Sequence, residues 1–211
     1  MTMDNSTLVS HYKETFQSEP DCVVHAPGRV NLIGEHTDYN EGFVFPAAIN
    51  FGTWIAAGKR NDDKVMVSAL DYDNQVNTFS LSDIQFDNNQ GWANYIRGVV
   101  KVLQADFPQI GGAELVVTGN VPQGAGLSSS ASFEIAILKA FATLYALPLD
   151  GIKASLLGQK AENEFVGCSC GIMDQLISAM GHAGHAMLLD CQSLSLQHAP
   201  LPDSHQIVII N

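Results

Sequence analysis

The chain has 211 residues, 46% hydrophobic and 15% charged, with 22 acidic side chains against 10 Lys+Arg and a formal net charge of −12. That composition suffices for a packed core in one or two domains, and it argues against nucleic acid or an anionic membrane as partner, because no basic surface could neutralise phosphates at scale. Cys22, Cys168, Cys170 and Cys191 form no disulfide framework, Cys168-x-Cys170 is too tight for a zinc pair, and no apolar run approaches about 18 residues. With a polar amino terminus and no signal peptide, the expectation is a cytoplasmic protein with reduced thiols.

Strands are expected at residues 22–26, 44–45, 53–57, 65–68, 115–118, 186–189 and 206–210, and helices at 92–104, 129–145, 152–165 and 174–180. The polar stretch 83–91 reads as a loop. There are no repeats and no low-complexity linker. Strands first and helices later indicate an α+β domain.

After the first expected strand comes a dense polar segment, Gly28-Arg29-Val30-Asn31-Leu32-Ile33-Gly34-Glu35-His36-Thr37-Asp38-Tyr39. It sets acceptors (Glu35, Asp38) beside donors (Arg29, His36), a combination that suits a small polyhydroxylated ligand whose every hydroxyl both gives and takes a hydrogen bond. A charged surface turn after a strand is the alternative. Glu35, His36 and Asp38 could also be read as metal ligands, but their neighbour Arg29 favours hydrogen bonding.

The segment Asn120-Val121-Pro122-Gln123-Gly124-Ala125-Gly126-Leu127-Ser128-Ser129-Ser130-Ala131-Ser132 lies between an expected strand and an expected helix. Glycines let the backbone approach an oxyanion, and the unpaired N–H groups of a helix start point at it. A capped helix after a tight turn is the plainer reading. Three successive serines exceed what a cap requires, and one hydroxyl could ligate Mg²⁺. Neither Gly-x-x-x-x-Gly-Lys-Ser/Thr nor a post-strand Gly-x-Gly-x-x-Gly occurs, so this is neither the common phosphate loop nor a nicotinamide site.

Downstream, Ile172, Leu176 and Met180 recur at helical spacing in Cys170-Gly171-Ile172-Met173-Asp174-Gln175-Leu176-Ile177-Ser178-Ala179-Met180-Gly181. Asp174 at the start of that pattern reads either as a helix cap or as a base. Glu162 and Glu164, in the preceding helix, read by themselves as solvated charges.

Together these segments carry a resemblance. The stretch from Gly28 through Ile49 resembles the galactokinase signature, the glycine-serine loop resembles the shared motif of the GHMP small-molecule kinases, and Gly171-Ile172-Met173-Asp174-Gln175 resembles the galactokinase segment bearing the catalytic aspartate. Agreement continues through Trp92-Ala93-Asn94-Tyr95 and His185–Asp190-Cys191. The resemblance implies a GHMP-kinase N-terminal domain, a mixed sheet with packed helices spanning 1–211, with galactose, ATP and Mg²⁺ as its ligands. It implies that Asp174 is the base, that Arg29 sits beside it, and that Glu35, His36, Thr37, Asp38 and Gly171 meet the sugar. Gly124, Ala125, Gly126, Leu127, Ser128, Ser129 and Ser130 would wrap the phosphates, Trp92 would lie against the nucleotide, and Ser130 and Glu162 would hold Mg²⁺. The family runs to nearly twice this length, which implies a second domain beyond residue 211, an isolated piece of little or no activity, and a parent that is a monomer or weak oligomer. An N-acetylgalactosamine kinase, a sugar sensor that binds without transfer, and a folded interaction module are the competing readings.

Overall fold

The computed structural model describes residues 5–204 and 206–210. Among them, eight strands form one mixed sheet and five α-helices pack around it. In chain order these are α1 (Asn5–Phe16), β1 (Cys22–Asn31), β2 (Phe43–Val44), β3 (Pro46–Lys59), β4 (Lys64–Ala69), β5 (Gln75–Ser80), α2 (Ala93–Asp106), β6 (Ala113–Gly119), α3 (Ser129–Tyr145), α4 (Gly151–Ala161), α5 (Met173–Met180), β7 (His185–Asp190) and β8 (Leu196–Pro200). A π-helical turn, Glu162–Val166, continues α4.

The sheet runs β2-β7-β3-β6-β4-β5, with β1 also on β3 and β8 also on β7. All pairings are antiparallel except β4 with β6, whose connection through β5 and α2 gives it the length a parallel return needs. The long strand β3 organises the rest, because its period-2 alternation feeds two cores at once. Ile55 and Ala57 face the main core beneath α2, α3 and α4, and Trp54 and Ala56 face the opposite side, where Leu8 and Tyr12 of α1 cover them. A third cluster joins Ile172, Met173, Leu176 and Ile177 at α5 to Val44, Met187 and Leu189. It seats the start of α5 against the end of the sheet.

The α+β class and the mixed sheet are as expected, with two differences. The order of elements is interleaved, with a helix first and strands last. Residues 206–210, expected as a strand, have no ladder: all are exposed, Ile207 and Ile209, which line a groove with Phe51 and Leu127, less so than Val208 and Ile210. Their alternation is real, but no strand among the described residues offers them backbone partners.

Candidate active site

Arg29 follows a register shift in the β1–β3 ladder between Pro27 and Arg29. A side chain on Gly28 would come within 2.7 Å of the Leu127 carbonyl, so glycine is what allows the 120s loop to lie on β1. The Arg29 N–H then donates to Leu127 O at 3.1 Å, and its Nη1 donates to the Gly126 carbonyl. The guanidinium fork closes on Asp174, Nε to Oδ1 at 2.7 Å and Nη2 to Oδ2 at 2.8 Å. The two side chains are 12% and 26% exposed, so the pair is largely shielded from water. A planar fork matched to a carboxylate gives geometric specificity that an ammonium cannot. Asp174 lies in the first turn of α5, but neither it nor the flanking Ile172 makes a side-chain cap. The cap reading is therefore corrected: Asp174 is taken by Arg29 and by Ser128, whose hydroxyl donates to Oδ2 at 2.5 Å.

Asp38, on a 3-10 turn at Asp38–Asn40, comes to the same place. A Cβ on Gly171 would sit 1.9 Å from Asp38 Oδ2, so the absent side chain is what makes room for this carboxylate. Burial pushes the Asp38 carboxyl above its ordinary range, a backbone hydrogen bond at Tyr39 opposes this, and the charge of Asp174 adds to it. Glu35 and His36 stand outward at the surface. The Glu35 carboxylate accepts from Asn31 Nδ2 at 2.9 Å, and His36, at φ +61°, has Nδ1 2.6 Å from the Tyr39 hydroxyl. The Thr37 hydroxyl is spent on the loop itself, reaching the Gly34 and Phe43 carbonyls at 2.7 Å each.

On the other side of the loop lies a cavity of about 320 Å³, lined among others by Tyr72, Trp92, Tyr95, Phe133, Ser129 and Ser130. Tyr72 and Trp92 stack with centroids 5.8 Å apart and planes 20° apart, and Trp92 Nε1 donates to Gln75 at 3.2 Å. Flat apolar walls beside a glycine-serine turn suit a nucleotide, its base among the rings and its phosphates at the loop. Gly124 and Gly126 take φ of +71° and +68°, and an added Cβ would meet nothing there. Backbone conformation, not space, is why glycine is used at those two positions.

Glu162 is 4% exposed, so reading it as a solvated charge is corrected. Its Oε2 accepts from Gln175 Nε2 at 2.9 Å and from the Cys170 thiol at 3.3 Å. The same Gln175 Nε2 donates to Glu134 Oε2 at 3.0 Å, while Glu134 Oε1 and Gln175 Oε1 are buried with no partner. Acceptors outnumber donors in this cluster, which suits a cation or a shared proton. Burial, then the charge of Glu162, push the Glu134 carboxyl well above its ordinary range. Ser130 lies one helical turn before Glu134 on α3. No group of three His, Cys, Asp or Glu converges as a cage among the described residues. Mg²⁺ requires none, since it binds through one or two carboxylates, phosphate oxygens and water. The residues present therefore fit such an ion.

Sequence reasoning missed Glu134, Gln175, Tyr72, Tyr95 and Phe133. A lone acid between Phe133 and Ile135 in an apolar helix was a usable signal for Glu134. Tyr72 carried none, because its stacking on Trp92 is long-range.

The fold is that of the GHMP small-molecule kinases: residues 94–182 match the GHMP kinases N terminal domain, and the chain belongs to that family. Residues 10–59 match the galactokinase galactose-binding signature, which marks the branch of the family it is similar to. The galactokinase of Lactococcus lactis, solved with galactose, shares 37% identity at a TM-score of 0.87, covering 93% of this chain and 51% of that one. A D-glycero-D-manno-heptose 1-phosphate kinase from Bacteriodes thetaiotaomicron shares 26% identity at a TM-score of 0.70, covering 85% and 60%. The mevalonate kinase of Methanococcus jannaschii, at 23% identity and a TM-score of 0.69 over 83% and 55%, is alike in fold. The chain spans about half the length of the Lactococcus enzyme. Among the described residues no helix is long and apolar enough to cross a membrane.

Proposed function

We propose that the protein phosphorylates galactose at its anomeric hydroxyl with ATP, giving galactose 1-phosphate, and that residues 1–211 are its galactose- and ATP-binding domain. The observation that carries this is the Arg29–Asp174 fork, held at the mouth of the glycine-serine loop with Asp38 beside it. A carboxylate has about four lone-pair sites. Arg29 and Ser128 take three, leaving one to accept from the hydroxyl of a bound sugar. Phosphoryl transfer through a loose transition state asks little of a base beyond position, so a fixed aspartate is adequate. As the sugar oxygen takes the phosphoryl group its proton passes to Asp174, and Arg29 offsets negative charge building at the same place.

Asp38, with Glu35 and His36 on the rim, supplies acceptors and donors for the remaining sugar hydroxyls. Thr37 and Gly171 shape that rim. Residues 124–130 present the loop to the phosphates, and Trp92 closes the base side of the cavity. Ser130 and Glu162 would hold Mg²⁺, which when bound neutralises phosphate charge and orients it. The same reading makes the protein cytoplasmic, and a monomer or weak oligomer.

Coupled ADP release with galactose, N-acetylgalactosamine and glucose tests it, on this chain and on a protein of the relatives' full length. Turnover with galactose is the expected result at the full length, with little or none from residues 1–211 alone. Turnover confined to N-acetylgalactosamine would move the assignment to another sugar kinase. Galactose and ATP binding with no transfer at either length would make it a sensor.

A further inference from the structure

Ser128 is a non-glycine residue at φ +60°, ψ +50°, in the left-handed region that L side chains disfavour. The loop uses glycine where it takes such angles at 124 and 126. Serine persists at 128 although its side chain makes no cap bond to the first turn of α3. It is 8% exposed and does not line the nucleotide cavity, whereas Ser129 and Ser130 do. Ser132 turns to the Ala26 carbonyl and Thr53. The hydroxyl of Ser128 goes instead to Asp174 Oδ2, at a length typical of a charge-assisted bond.

We propose that Ser128 is a positioning residue for Asp174, kept in a backbone conformation that favours glycine because its hydroxyl fixes the rotation of that carboxylate. The inference rests on the reading of Asp174 as the base. Two further bonds tie the same loop to Arg29: Leu127 O accepts its N–H and Gly126 O accepts its Nη1. Loop, guanidinium and carboxylate thus form one connected unit, and the carboxylate is held by donors from two different parts of the chain. A local strain maintained at a site is expected where a side chain there has a task.

The test sets catalysis against stability. Ser128→Gly removes the hydroxyl but relieves the backbone, so its melting temperature should fall less than that of Ser128→Ala. Over the same change kcat for galactose should fall about 10-fold or more, the worth of a hydrogen bond to a charged group, with galactose affinity by calorimetry within about twofold. Ser128→Ala keeps the strain and should lower both kcat and melting temperature. A Ser128→Gly protein with unchanged kcat, or one that loses sugar affinity in proportion to kcat, would overturn the proposal. A second measurement needs no activity. In a urea-unfolding cycle of Ser128→Ala with Asp174→Ala the two effects should be non-additive, and additivity would remove the role of Ser128. An unsubstituted protein that transfers to no sugar would remove the proposed function instead, and the cycle would still decide this contact.

Discussion

At the scale of single residues, Asp174 is where chemistry and structure are most tightly joined. Asp174→Asn keeps size and shape while removing the proton acceptor, and a positioned base typically contributes about 10²–10⁴-fold. The expected outcome is a kcat lower by that order with galactose affinity largely kept, measured by single-turnover kinetics alongside calorimetry. Turnover within a few-fold of the original would take Asp174 out of the mechanism. Glu134 makes a different prediction. Burial and the charge of Glu162 raise its folded-state pKa above its ordinary value of 4.5. A raised carboxyl contributes stability below its unfolded pKa, and that contribution is lost as pH rises toward the folded value. Glu134→Gln removes this loss, so its melting temperature relative to the original should climb as pH rises above that ordinary value of 4.5. A difference that stays constant or shrinks with pH would show that the carboxyl is not held neutral by its surroundings. Arg29 and Asp174 could be marked in the sequence because each stands in a recognisable string of neighbours. For Glu134 the sequence offers only a lone acid in an apolar helix, and for Gln175 only its place beside Asp174; the role of each comes from the Glu162 carboxylate, 28 positions from one and 13 from the other, which they meet in the buried interior.

At the scale of elements, what shows in the sequence depends on how many apolar side chains an element buries. Helices α2, α3 and α5 bury broad apolar faces and were placed within one or two residues at most ends. Helix α1 buries only Leu8 and Tyr12, one turn apart, too few for a period to stand out from a polar background. Strand β5 should alternate, and it does, but one of its two inward positions is Asn77. That side chain is satisfied by Arg97, Asp87 and Gln90, partners that a local reading cannot supply. Strand β8 is an edge element with no fully buried residue, so no alternation is required of it. The junction before α5 offers a sharp test of how elements position the proposed sugar site. Gly171→Ala would drive a methyl into the Asp38 side chain, so its carboxylate would have to swing out of its present place. Galactose affinity should fall at least about 10-fold, with a melting temperature lowered by the overpacking expected of a well-filled site. Unchanged sugar affinity in a folded Gly171→Ala protein would place the sugar away from Asp38.

At the scale of the whole molecule, charge poses the remaining problem. The chain carries −12, and none of the described residues lining the proposed nucleotide cavity is Lys or Arg, whereas Asp71 is among them. A nucleotide must therefore approach a body of its own sign and be held by short-range features: the N–H groups of the 124–130 loop, the start of α3 and a bound cation. Screening weakens the long-range repulsion well before it weakens contacts inside a cleft, because the Debye length shortens from about 20 Å at about 20 mM salt to about 8 Å at 0.15 M. Association of ATP should consequently quicken as salt is raised over that range, the reverse of what a basic phosphate-binding surface would show. Trp92 lines the cavity and Trp54 lies 9% exposed against His25 and α1. Stopped-flow fluorescence with a Trp54→Phe background would isolate the relevant signal. An association rate that falls with salt would mean that a cationic patch guides the nucleotide in, and the loop would then be only part of the phosphate site.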